Sequence, residues 1–135
     1  MRQSIETWEA LGFVFDVISI GFIASDLQAE LLASFCAKQK EMGAMVIVDP
    51  IMADNGTLYN GVGVETIDRL RKVVSLADLT VPNYTEACLL TDTEFHESGF
   101  RKEEIKPVID KICALGAKSV LVTSAHIDEK PDVVG

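Results

Sequence analysis

The sequence predicts an α/β protein, a three-layer αβα sandwich around a parallel sheet. Three observations carry this. Short apolar runs such as "AMVIVD" and "SVLVTS" alternate with stretches whose apolar residues recur at helical spacing. The runs are apolar throughout instead of at every second residue, as in strands covered on both faces. "MGAMVIVDP" and "LGAKSVLVTS" share one arrangement: helix end, Gly-Ala, apolar strand, polar residues. That is one αβ unit used twice, and such units build parallel sheets.

The elements follow in order. "FVFDVISIGF", residues 13–22, reads as the first strand, closed by Gly21. Ser25 and Gln28 offer a capping box, and Leu27, Leu31, Leu32, Phe35 and Cys36 follow at helical spacing up to Gly43. "AMVIVD" is the second strand, and Val64, Ile67, Leu70 and Val74 mark a second helix. "ADLTVP" is a short strand ended by Pro82, and "TEACLLTD" fits a short helix. Ile105, Val108, Ile109, Ile112 and Leu115 give a third helical stripe, with Pro107 assigned to its first turn. Gly116 stops that helix, "SVLVTS" is another strand, and the sequence enters a further strand at "DVVG". Trp8 is expected to pack helix against sheet. Residues 1–135 read as a single domain.

At 135 residues the chain can bury one sizeable core. With 48% hydrophobic and 24% charged residues it is globular, not disordered. The net charge of -9 argues against nucleic-acid partners, which need Lys and Arg to displace counterions. It does not oppose a phosphate ligand that arrives with a divalent cation. Cys36, Cys88 and Cys113 are scattered, with no C-x-x-C pair, and read as buried, reduced thiols. "MRQSIETWEALGF" lacks the apolar core of a secretory signal. "FVFDVISIGFIA" is interrupted by Asp16 and too short to span a bilayer. The expectation is a cytoplasmic protein without a membrane partner.

Polar residues gather where the strands end: Asp49 and Asp54, then Asn83 and Glu86, then Thr123 and Ser124. Ligands of open parallel sheets bind beyond these carboxyl ends. Each pair also has a plain structural account. Asp49-Pro50 and "DNG" suit turns, Asn83 and Glu86 suit a capping box, and Thr123 and Ser124 suit a strand end. The combination points further. Two acids and an Asn suit a hard cation, because Mg²⁺ takes oxygen ligands, keeps waters and bridges phosphates. Neither G-x-x-x-x-G-K-[ST] nor G-x-G-x-x-G is present, so any phosphate cradle is of another kind. His96 and His126 are isolated and read as loop residues.

Within these segments, "DPIMADNGTLY" (residues 49–59) resembles the D-P-V-M-G-D…G…Y signature of pyridoxal kinases in the ribokinase-like superfamily. "ADLTVPNYTEACLLTD" is similar to their A-D…T-P-N…E-A-x-x-L-T segment, "VLVTS" to the strand that follows, and "FDVISIGFIAS" to F-D-x-I-x-x-G-x-L-x-S. The resemblance implies a ribokinase-like fold and transfer of the γ-phosphoryl of ATP to the 5′-hydroxymethyl of pyridoxal, pyridoxine or pyridoxamine. It implies that Asp54 and Glu86 hold Mg²⁺ and phosphate, largely through water, with Asp49 and Asn83 in support. Thr123 and Ser124 would contact ATP phosphates, and Tyr59 would belong to the loop closing over the nucleotide. A homodimer is plausible on the same basis. Ala53 stands where the family has Gly. The family's N-terminal strands and its C-terminal G-T-G-D segment, with the catalytic Asp, have no counterpart here. The implied catalytic residue is therefore none in this chain, which is expected to carry the Mg·ATP side of the site without catalysing alone.

Hydroxymethylpyrimidine kinase, of the same superfamily, shares the D-P-V and P-N-x-x-E pattern; Tyr59 favours the pyridoxal branch. A phosphoacceptor receiver domain would use "VIVDPIM", "VTSA" and "KP", but Lys130 follows Thr123 too closely to leave room for a helix. A non-catalytic nucleotide-binding or dimerisation module is the third reading.

Overall fold

The computed structural model describes residues 1–128. The elements are α1 (Arg2–Ala10), β1 (Val17–Ile20), α2 (Asp26–Glu41), β2 (Met45–Val48), β3 (Ala53–Asp54), β4 (Thr57–Leu58) and α3 (Glu65–Val74). Then come β5 (Leu79–Thr80), α4 (Tyr84–Thr91), β6 (Phe100–Arg101), α5 (Lys102–Leu115), β7 (Ser119–Val120) and β8 (Ile127–Asp128).

The main sheet has the order β1-β2-β5-β7, with every pair parallel. β3 and β4 form an antiparallel hairpin, and β6 pairs with β8 in parallel. The parallel strand pattern expected from the sequence is present. Strands laid down side by side through right-handed crossovers send their helices to one face. α2, α3, α4 and α5 accordingly pack on one another in sequence. Ile20, Val46 and Val48 face those helices and join Cys36, Leu70, Val74, Val108 and Ile112 in the core. Their strand neighbours on the other face differ: Val17, Ser19 and Met45 are exposed, Ile47 and Leu79 half-buried. Among the described residues the sheet is thus covered on one face, where the sequence suggested both.

Several local expectations shift. β1 is shorter than residues 13–22, because Phe13 and Phe15 are held before it by buried Gln39. The Gln39 amide donates to the Phe13 carbonyl and accepts from Phe15 N–H, both at 3.0 Å. Trp8 packs against Phe15 and Phe35, at ring separations of 5.5 and 5.9 Å, and so joins α1 to α2 instead of to the sheet. Ser25 caps α2 by accepting from Gln28 N–H, but Gln28 Oε1 accepts from Ala24 N–H, one residue short of a closed box. Val64 is exposed and lies outside α3; Thr66, Leu70, Val73 and Val74 form the buried stripe. α5 begins at Lys102, which places Pro107 in the helix interior instead of the first turn. Cys36 and Cys88 are buried and burial pushes both thiols up to about 11, whereas Cys113 is exposed. Lys130 and the strand expected at "DVVG" lie outside the described residues. No helix among the described residues is long and apolar enough to cross a membrane.

Candidate functional site

Asp49 follows β2 directly, and its N–H extends the ladder to the Ile20 carbonyl at 2.8 Å. Beyond buried Pro50, the chain folds into the β3–β4 hairpin, whose two-residue turn is Asn55-Gly56. Both residues have positive φ, 49° and 78°, the backbone of a type I′ turn, whose twist matches the flanking strands. Gly56 is also required by space: an added Cβ would lie 2.8 Å from the Phe95 ring. The hairpin presents Asp54, exposed, with Oδ1 accepting from Asn55 N–H at 2.8 Å.

α4 starts immediately after Pro82 with the predicted capping box. Asn83 Oδ1 accepts from Glu86 N–H and Glu86 Oε2 from Asn83 N–H, each at 2.9 Å. The same first turn also grips the hairpin. Asn83 Nδ2 donates to the Ala53 carbonyl (2.8 Å), Met52 N–H donates to Glu86 Oε1 (3.1 Å), and Gly56 N–H donates to Thr85 Oγ1 (3.0 Å). The structural and the functional readings of Asn83 and Glu86 are therefore not exclusive. Ala53 is not among the residues with positive φ, so a side chain there imposes no backbone strain.

The third strand end closes in beside α4. Thr123 bridges Asn83, and its N–H donates to the Pro82 carbonyl at 2.9 Å. Ser124 then turns the chain with φ of 52°. A cavity of about 300 Å³ opens between the hairpin turn, the start of α4 and Ser124, lined among others by Asp54, Asn55, Thr85, His96 and His126. Both histidines lie in loops, as the sequence suggested, but His96 is not isolated. His96 Nε2 lies 3.2 Å from Glu104 Oε1, and its backbone N–H donates to the Tyr84 hydroxyl at 3.0 Å.

The site is acidic and partly desolvated. Burial raises the Glu86 carboxyl above the usual range, outweighing backbone N–H donation from Asn83, Met52 and Ala53. Burial raises Asp49 as well. Tyr59, 44% exposed, has its phenol pushed up by desolvation and then by the charges of Asp54, Glu86 and Asp49. One side chain thus senses all three carboxylates. Asp54 and Ser124 share the cavity, Asn83 and Thr123 share a bridge, and Asp49 and Tyr59 join through their fields. Thr85, His96 and His126 were not singled out as site residues by sequence. Thr85 carried a signal, a hydroxyl between the two capping-box residues; the histidines acquire their place only when residues 95–99 and 124–126 meet.

Among the described residues no three His, Cys, Asp or Glu side chains group closely enough to cage a metal. Glu86 spends both carboxylate oxygens on backbone donors, whereas Asp54 Oδ2 accepts no bond among the described residues. That donor set fits Mg²⁺, which commonly takes one or two carboxylates and completes its octahedron with water and phosphate.

The parallel sheet is shared with solved phosphomethylpyrimidine and pyridoxal kinases, which have the ribokinase-like fold. The phosphomethylpyrimidine kinase family matches residues 6–134, and the chain belongs to it. It is 33% identical over 94 residues to the pyridoxal kinase of Sus scrofa, covering 67% of this chain and 28% of that protein. It is 29% identical over 112 residues to the hydroxymethylpyrimidine/phosphomethylpyrimidine kinase of Aquifex aeolicus, covering 82% of this chain and 41% of that protein. A phosphomethylpyrimidine kinase-like protein of Bacteroides thetaiotaomicron, solved with pyridoxal, superposes with a TM-score of 0.87 at 27% identity. That match covers 97% of this chain and 46% of the other. The chain spans less than half the length of each of these relatives.

Proposed function

We propose that the chain forms the Mg·ATP half of a kinase site that phosphorylates the 5′-hydroxymethyl of pyridoxal, pyridoxine or pyridoxamine. The observation that carries this is the hairpin bearing Asp54, fastened by three bonds to the start of α4 and set beside Ser124. Phosphate needs positive charge nearby, yet among the described residues no Lys or Arg lines the cavity. Acidic walls accept a polyphosphate when a divalent cation comes with it. Asp54 would hold that cation, and Glu86, Asp49 and Asn83 would orient its waters. Thr123 and Ser124 would donate to phosphate oxygens, and Tyr59 would border the nucleotide. Bound Mg²⁺ supplies neutralisation of the charge on the transferring group. The substrate hydroxymethyl oxygen forms a bond to the γ-phosphorus as the bond to the β,γ-bridging oxygen breaks, leaving ADP. The hydroxyl proton passes to a base that the family resemblance assigns to its C-terminal Asp.

The pyridoxal reading draws support from the Sus scrofa relative and from the pyridoxal in the Bacteroides structure. Hydroxymethylpyrimidine phosphorylation is the second reading, favoured by the family match and the Aquifex relative.

The test is the protein purified from its source, assayed with Mg·ATP and either pyridoxal or hydroxymethylpyrimidine. From a natural polypeptide of mass well above 14.7 kDa, faster pyridoxal 5′-phosphate formation is expected; preference for the pyrimidine selects the second reading, and no turnover of either by such a polypeptide overturns both. Glu86→Gln should weaken Mg·ATP binding about tenfold, the scale of one charge-assisted interaction. Because burial raises Glu86, wild-type binding should strengthen as pH climbs past the ordinary Glu range of about 4.3. Glu86→Gln should flatten that rise.

A further inference from the structure

We infer that Thr85 is a positioning residue that holds the Asp54 turn in register for the metal and phosphate, an inference that rests on the Mg·ATP reading above. Three side chains of the first turn of α4 reach the hairpin. Asn83 and Glu86 also cap the helix, so their bonds to Ala53 and Met52 come with a helical duty. Thr85 has no part in the capping box. Its side-chain oxygen, on a residue only 3% exposed, accepts from Gly56 N–H at 3.0 Å. Gly56 is the second residue of the turn, two positions past Asp54. Without that bond the hairpin stays tied at Met52 and Ala53, but its tip is free to pivot on the Asn55-Gly56 turn. The Phe95 ring lies on the side of Gly56 where a Cβ would stand. The hydroxyl therefore fixes where the Asp54 carboxylate stands relative to Ser124 across the cavity.

The test compares the wild-type protein with Thr85→Val, which keeps the shape without the acceptor, and Thr85→Ser, which keeps the acceptor. Binding of ATP with Mg²⁺ and of ATP with EDTA is measured by calorimetry, and amide exchange is followed at Gly56 and through α4. Thr85→Val should weaken Mg·ATP binding roughly three- to tenfold, the scale of one net hydrogen bond, with Thr85→Ser close to wild type. Metal-free ATP binding should stay unchanged, and Gly56 alone should lose protection. Unchanged Mg·ATP binding in Thr85→Val overturns the inference and leaves the Mg·ATP reading standing. Equal loss with and without metal, or lost protection throughout α4, reduces Thr85 to a structural residue and overturns it too. Wild-type protein that binds no Mg·ATP overturns this inference together with the reading it rests on.

Discussion

Gly56 concentrates two requirements in one residue. Its φ of 78° favours glycine, and its missing Cβ leaves room for the Phe95 ring. Gly56→Ala should cost about 1–3 kcal/mol, read as a lower urea midpoint at unchanged slope. It should also displace Asp54, so Mg·ATP binding falls along with stability. Glu86 shows how one side chain serves helix and site together. Its carboxylate accepts from Met52 and Asn83, each at about 3 Å, while burial favours its protonated form. Because its folded-state pKa is raised, folding takes up protons in that window. The contribution of Glu86 to stability is largest below the ordinary Glu range and falls as pH rises through the raised value.

Among the elements, β5 is only two residues long and depends on Asp78 just before it. Asp78 N–H donates to the Val46 carbonyl, and Val46 N–H donates back to Asp78 Oδ2, both at 2.8 Å. Oδ1 meets Lys118 at 2.8 Å and Lys40 at 3.4 Å. The Lys118 bond, then the Val46 N–H, lower the Asp78 carboxyl to about 2. The stabilisation is present above the ordinary Asp range near 3.9 and is lost as pH falls through about 2. Asp78→Asn should therefore destabilise the protein by about 1–2 kcal/mol at neutral pH, after discounting the solvent-exposed Lys118. Chemical denaturation at pH 7 and at pH 2 should show that difference shrinking in acid. α4 and the hairpin form the second such junction. The short strands and the eight-residue helix hold their places through side-chain bonds that cross between elements.

Over the whole molecule, the helices gather on one face of the sheet and leave Val17, Met45 and Leu121 about half exposed on the other. Monomeric proteins rarely expose contiguous apolar surface of this kind without a use for it. The 135-residue chain should enhance the fluorescence of 1-anilinonaphthalene-8-sulfonate. Met45→Lys combined with Leu121→Lys should abolish most of that signal without changing the far-ultraviolet circular dichroism. Persistence of the signal would place the dye elsewhere. The sequence determined a good deal of this protein by itself. Apolar runs, helical stripes and caps are local patterns, so the parallel α/β order was legible, as were the Ser25 N-cap, the Asn83–Glu86 capping box and the polar strand ends. The family resemblance rested on the same contiguous segments. Tertiary structure alone decided the rest. Gln39 shortened β1, residues 95–99 and 124–126 brought two histidines to the cavity, and one-sided crossovers left a sheet face open. Thr85 found Gly56 twenty-nine positions away. Local patterns report what a segment prefers, whereas partners distant in the chain are chosen by packing, which no single segment encodes.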